Sequence, residues 1–137
     1  VPSIAADAGP LIALIDGSDD YHSDVVAFLA DLRQPLVTNL VVVSEVAALL
    51  PLRYQLRFFG WAIDALEIDQ ETVGDLPRII EIMDKYADLP ADFADAALVA
   101  MCERRGITSV ATLDRHFEVY RTRDRKRLRN VLRSGQG

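Results

Sequence analysis

A chain of 137 residues has room for one domain and one hydrophobic core, because ordinary domains run to roughly 100–150 residues. Half of its residues are hydrophobic and 26% are charged, which excludes a disordered, low-complexity or collagen-like polypeptide, and no apolar run reaches the roughly 20 residues of a membrane-spanning helix. The net charge of -6 hides a division, since residues 1–120 carry -12 and residues 121–137 carry +6; the body repels nucleic acid at long range, and the last segment is of the kind that attracts phosphate.

The opening stretch VPSIAADAGPLIALIDG has no basic segment ahead of its apolar residues, so no secretory signal is expected and a cytoplasmic location is. Residues 3–6 read as a short buried strand, closed by a turn in which Pro10 begins a helix over 11–15. Val25, Val26, Phe28, Leu29 and Leu32 recur at helical spacing and predict a helix over 21–32. A second strand is expected over 36–38, after which Asn39 can cap a helix over 40–50 that Pro51 ends. A helix over 53–65 and a strand over 66–68 follow. The next expected helix covers 75–86 with Pro77 in its first turn, and the one after it covers 91–105 and stops at Gly106. Strands are expected over 109–113 and 118–121, ahead of a basic C-terminal tail at 121–137. Short apolar strands alternating with helices predict an α/β sandwich around a mainly parallel sheet. Cys102, in ALVAMCE, is expected in the core rather than as a catalytic thiol.

Most acidic residues sit in polar surroundings, but four interrupt apolar segments. Asp7 lies between IAA and AGPLIAL, Glu45 between LVVVS and VAALL, Asp95 between ADFA and AALVAMC, and Asp114 follows VATL. Burying an ionised carboxylate costs several kcal/mol unless a cation or hydrogen bonds compensate. In open α/β sheets ligands bind beyond the carboxyl ends of strands, where Asp7 and Asp114 fall, and Glu45 and Asp95 can reach the same edge from their helices. Thr112 shares the strand face of Asp114. Acids converging there would repel one another, and a hard divalent cation such as Mg²⁺ would relieve that repulsion. Taken one at a time, each has an ordinary alternative: a turn or cap for Asp7 and Asp114, helix capping with Asp92 for Asp95, and an ion pair with Arg53 or Arg57 for Glu45. His22 and His116 have no second ligand at helical spacing, so no zinc site is expected.

The contexts ADAGPLIALID, VVVSEVAALL, LPADFADAALVAMCERRGI and VATLDRHFEVY resemble the PIN-domain ribonucleases, in particular the VapC-type toxins of toxin–antitoxin pairs. The resemblance spans residues 4–120 and is most specific over 89–117, where LP, FADA, the apolar helix, the glycine and TLD-x-x-F come in family order. It implies a three-layer α/β/α sandwich at 1–120. It also implies that Asp7, Glu45, Asp95 and Asp114 are the catalytic, metal-binding acids, with Thr112 as a supporting hydroxyl and Asp92 as an extra acid. Many members carry a hydroxyl or amide residue directly after the first Asp, whereas Ala8 and Gly9 stand here.

The implied activity is Mg²⁺- or Mn²⁺-dependent hydrolysis of RNA, with a metal-activated water attacking a phosphate in line, by a homodimer held by an antitoxin. Arg121, Arg123, Arg125, Lys126 and Arg127 are candidate RNA contacts, with a solvated tail as the alternative. A different class of function, a non-catalytic PIN scaffold binding RNA or protein, would leave the acids merely structural. Finally, LLPLRYQLRFFGWAIDAL carries more large apolar side chains than one buried helix face requires. Either this stretch completes a small core, or it offers an amphipathic antitoxin helix a groove that includes Phe58 and Trp61.

Overall fold

The computed structural model describes residues 2–89 and 92–134. Its centre is an all-parallel sheet of β1 (Ile4–Ala6), β2 (Leu36–Asn39), β3 (Leu66–Asp69), β4 (Ser109–Ala111) and β5 (Arg129–Asn130), in the order β3-β2-β1-β4-β5. β1 and β2 are buried along their whole length, as strands covered on both faces are, and the polar Thr38 and Asn39 of β2 are satisfied there by donating to the Ala6 and Ala97 carbonyls. Ala6 stands opposite Ala111 in the register of β1 with β4.

The helices are α1 (Ala8–Ile15), α2 (His22–Asp31), α3 (Leu40–Leu49), α4 (Leu52–Ala65), α5 (Thr72–Lys85), α6 (Phe93–Arg105) and the short α7 (Val131–Ser134). The chain steps from β1 to β2 to β3, then returns past β1 to β4. Right-handed crossovers therefore place α1–α4 on one face and α5 and α6 on the other. The same reversal opens a crevice beyond the carboxyl ends of β1 and β4. Every residue of α6 from Ala94 to Cys102 is buried, and Gly106 ends the helix at φ 68°, the left-handed conformation that glycine adopts without cost. Burial pushes the Cys102 thiol up to about 12, which fits an inert core residue. Among the described residues no helix is long and apolar enough to cross a membrane.

The other end of α6 is tied down by charge. Arg104 reaches Asp69 at 2.6 Å, Asp75 at 2.8 Å and Glu71 at 2.9 Å, and Arg105 reaches Glu67 at 2.6 Å and Asp69 at 3.0 Å. Burial opposes ionisation of Asp69, but hydrogen bonds from Arg104, the Glu71 amide and Arg105 outweigh it and hold the carboxyl below its usual range. The edge strand β3 is thereby fastened to α5 and α6.

Several boundaries differ from those expected: α1 starts at Ala8, so Pro10 is its third residue and not the one before it, and β4 ends at Ala111 and not at 113, which leaves Thr112 and Asp114 just beyond the strand. α5 starts at Thr72, so Pro77 lies inside the helix and not in its first turn. The carbonyl that Pro77 leaves without a partner belongs to the exposed Val73, which water can reach. Ala91, the expected first residue of α6, lies outside the described residues. The last strand is not 118–121: Arg115–Glu118 form a 3₁₀ turn, and the chain pairs with β4 only at Arg129–Asn130. Leu128 and Leu132, on either side of β5, are buried, so the basic segment contributes apolar side chains to the core.

Candidate active site

Asp7 follows β1 and precedes α1. Its amide donates to the Ala111 carbonyl at 3.0 Å, and its side chain makes no capping bond to the helix. Instead, Oδ2 accepts a hydrogen bond from the Thr112 hydroxyl at 2.7 Å. The Asp114 amide donates to that same hydroxyl at 2.9 Å. A hydroxyl has one proton and two lone pairs, so these two contacts fix its direction and join the ends of β1 and β4. Asn130 grips Thr112 in turn, donating from Nδ2 to its carbonyl at 3.0 Å and accepting from its amide at 3.3 Å.

The helices supply the other acids. Asp92 caps α6, accepting the Asp95 amide at 2.9 Å, and the Asp95 carboxylate accepts a hydrogen bond from the Tyr120 hydroxyl at 3.1 Å. Tyr120 is fully buried and meets Tyr86 and Phe117 edge-on, each with ring centres 5.2 Å away. Glu45 projects from α3, whose start is set by the buried Asn39. That side chain accepts the Val42 amide at 3.1 Å and donates to the Ala97 carbonyl at 3.2 Å, tying α3 to α6. Arg53 and Arg57, the alternative partners for Glu45, lie instead over the Tyr54 ring at 4.9 and 5.2 Å.

Asp7, Glu45, Asp92, Asp95 and Asp114 line one cleft of about 300 Å³, together with Ala8, Gly9, Ile12, Leu49 and Leu113. None of these residues is cationic. Burial pushes the Asp7 carboxyl above its usual range against hydrogen bonds from Thr112 and the Ala8 amide, and Asp114 and Asp92 add repulsion. Burial raises Glu45 as well, helped by Asp92, Asp7 and Asp114. Asp95 is pushed up to about 7, chiefly by burial and then by Asp7 and Asp92, with the Tyr120 hydroxyl pulling the other way. Among the described residues no three acids already close around a single point; they form the walls of a cleft. Carboxylates held together against burial and mutual repulsion are nonetheless a donor set that fits a hard divalent cation, which takes carboxylate oxygens and keeps several waters. Ala8 and Gly9 place no polar side chain there, and Gly9 lies against Leu113, where an added Cβ would sit 3.4 Å from the Leu113 Cβ.

The five candidate RNA contacts are not gathered in one place. Arg121 is turned onto the Glu118 and Tyr120 carbonyls, Arg123 faces Glu81 at 3.5 Å, and Lys126 faces Asp124 at 3.7 Å. Arg125 is exposed in a turn with φ 66°. Arg127 alone of the five lines a second cleft, which shares Asp114 with the first. His22 bonds the Ala13 carbonyl through Nδ1 at 2.7 Å; the side chain of His116 lies outside the described structure. In α4, Phe58 is core and Trp61 is partly buried, whereas Leu52, Leu56 and Ile63 are exposed.

Sequence reasoning did not find Tyr120, Asn130 or the second bond of Asn39. All three act by hydrogen bonds to distant segments. The available signal was a polar group set among apolar neighbours, as in EVY and RNVL.

A family model described as the PIN domain matches residues 4–122. Among solved structures, VapC20 of Mycobacterium tuberculosis, described as a sarcin-ricin loop cleaving toxin, superposes with a TM-score of 0.77 at 20% identity, over 85% of this chain and 93% of that one. FitAcB of Neisseria gonorrhoeae superposes with a TM-score of 0.53 at 17% identity, over 81% of this chain and 87% of that one. Both likenesses are of fold. No curated protein matches the sequence at a significant level.

Proposed function

Because the chain belongs to the PIN domain family, we propose that it is a metal-dependent endoribonuclease and the toxin of a toxin–antitoxin pair. The observation that carries this reading is the cleft itself, in which five carboxylates and no cationic residue line a crevice beyond the ends of β1 and β4. Asp7, Glu45, Asp95 and Asp114 would hold Mg²⁺ or Mn²⁺, with Asp92 as a further ligand. When bound, the cation lowers the pKa of a water and polarises a phosphate, which allows in-line hydrolysis of a phosphodiester.

The protein's own part is to place oxygens and keep them ionised. Thr112 fixes the direction of the Asp7 carboxylate while holding the Asp114 backbone, and Asn130 fixes Thr112. Tyr120 holds Asp95, which near neutral pH carries a proton for part of the time unless a positive charge stands beside it. RNA is the substrate this chemistry serves, and the cytoplasm is where such a substrate is met.

The antitoxin reading rests on apolar surface. Leu52, Leu56, Phe59 and Ile63 fall on one face of α4 and are exposed, and Leu49, also exposed, lines the acidic cleft. An amphipathic helix laid along that face would bring its following segment to the acids, where an Arg could take the place of the cation. The active protein is proposed to be a homodimer.

The test uses purified full-length chain on structured RNA with Mg²⁺, Mn²⁺ or EDTA, beside Asp7→Asn and Asp95→Asn. Metal-dependent cleavage that both variants lose is expected. Cleavage persisting in EDTA, or in both folded variants, overturns the metal mechanism, and RNA binding without cleavage under any metal makes the chain a non-catalytic scaffold.

A further inference from the structure

The second cleft, of about 300 Å³, is lined by Asp114, Phe117, Glu118, Arg127, Leu128, Arg129 and Asn130. It meets the acidic cleft at Asp114, which lines both. Arg127 and Arg129 are two residues apart on an extended stretch, so their side chains leave the same side of the chain. The intervening Leu128 is buried and anchors that stretch, and the Arg129 amide donates to the Thr108 carbonyl at 2.9 Å. Among the described residues neither guanidinium has an ion-pair partner, whereas Arg78, Arg104, Arg105 and Arg123 each have one. Two exposed guanidinium groups, without an ion-pair partner among the described residues, thus line the cleft that adjoins the acidic one at Asp114.

We propose that Arg127 and Arg129 form a subsite for the phosphodiester next to the one that is cut. The proposal rests on the nuclease reading given above. A strand of RNA whose scissile phosphate lies in the acidic cleft crosses Asp114 to leave it, and this is the side on which the two arginines stand. Each guanidinium offers a planar fork of N–H donors that matches two phosphate oxygens. The two acids in this wall do not defeat the arrangement. Asp114 faces the proposed cation as well as this cleft, which leaves two guanidinium groups beside the one carboxylate of Glu118. The subsite sets the register of the RNA by its backbone and reads no base.

Binding of a fluorescent single-stranded RNA is measured against KCl concentration in the Asp7→Asn background with Mg²⁺, so that the probe is not cut. The Arg127→Gln/Arg129→Gln pair is compared with Arg33→Gln, which lies just before β2, at the amino end of the parallel strands and not at the carboxyl ends where the acidic cleft lies. Loss of two phosphate contacts to a single strand lowers the magnitude of the log–log salt slope by about 1.4, and the Arg33→Gln control keeps the parent slope. In the otherwise wild-type enzyme the double variant raises KM for RNA cleavage. If slope and KM both stay at the parent values, or if Arg33→Gln lowers the slope equally, the subsite is refuted while the nuclease reading stands. If the parent enzyme does not cut RNA with any divalent metal, it is the nuclease reading that falls.

Discussion

Tyr120 donates its hydroxyl to Asp95 at 3.1 Å from a ring that packs edge-on between Tyr86 and Phe117. Aromatic packing and active-site chemistry therefore meet in one side chain, and two substitutions separate them. Tyr120→Phe keeps the ring and removes a bond that favours the ionised Asp95, so the Asp95 carboxyl rises further. The acid limb of the pH–activity profile is expected to move to higher pH, with stability lower by about 1 kcal/mol. Tyr120→Ala is expected to cost about 3–5 kcal/mol by emptying the ring's site. A pH–rate profile and a urea titration of each variant check both statements.

Asp95 also sets a pH dependence of stability in the metal-free protein. Its carboxyl is pushed up to about 7 in the fold, against about 3.9 in an unfolded chain. Between those values the folded protein keeps a proton that the unfolded chain has released. The contribution is fully present at low pH and is lost as pH rises through that window. In EDTA, the melting temperature of the wild type is expected to fall more between pH 5 and pH 7.5 than that of Asp95→Asn. Mg²⁺ is expected to raise it more at pH 7.5 than at pH 5. Equal pH dependence in the two proteins would refute this assignment.

The Thr112 hydroxyl is expected to be indispensable although it touches no substrate. Thr112→Val keeps the shape but removes the hydroxyl that donates to the Asp7 carboxylate and accepts from the Asp114 amide, leaving Asp7 the Ala8 amide. Loss of an outer partner of a metal-holding carboxylate typically costs about 10–100-fold in activity or metal affinity. Thr112→Ser should restore most of it. Metal titration by calorimetry, run with the activity assay, distinguishes a weakened site from a general loss of fold.

Substitutions on α6 and α4 are expected to separate enclosed positions from exposed ones. Arg104 compensates Asp69 and Asp75, both buried, so Arg104→Met should destabilise the protein by about 3 kcal/mol. On α4, Phe58→Ala should likewise cost about 3–5 kcal/mol, because Phe58 is enclosed in the core. Ile63→Ala should cost little, since Ile63 is 82% exposed, while weakening capture of the antitoxin. Chemical denaturation and partner titration of the three variants give the comparison.

The parallel sheet and the acidic cleft were legible in the sequence for the same reason. Short apolar strands announce burial, and a carboxylate inside an apolar run such as VVVSEVAALL is conspicuous there. What escaped was held by long-range pairing. β5 is two residues long and begins with Arg129, so it has no alternation to mark it, and its surroundings read as a basic tail. Asn130 and Tyr120 matter through partners 18 and 25 residues away, which no local pattern encodes. Nothing in the sequence around Arg104 sets it apart from other cations at a helix end, and only the fold brings Asp69, Glu71 and Asp75 to it.

The hydrogen bond between Thr112 and Asp7 joins residues 105 positions apart. At a synthesis rate of about 5–20 residues per second, Asp7 is added to the chain roughly 5–20 s before Thr112. β1 meanwhile can pair with β2 but not with β4, and most of the nascent chain carries some of the acids without the geometry that unites them. Loop closure over such a distance also slows the final docking of β4 and β5, as it does for any fold dominated by non-local contacts. A nuclease of the kind proposed above, built this way, has no assembled acidic cleft until residues 109–130 have been made, which leaves that interval for an inhibitor to be in place.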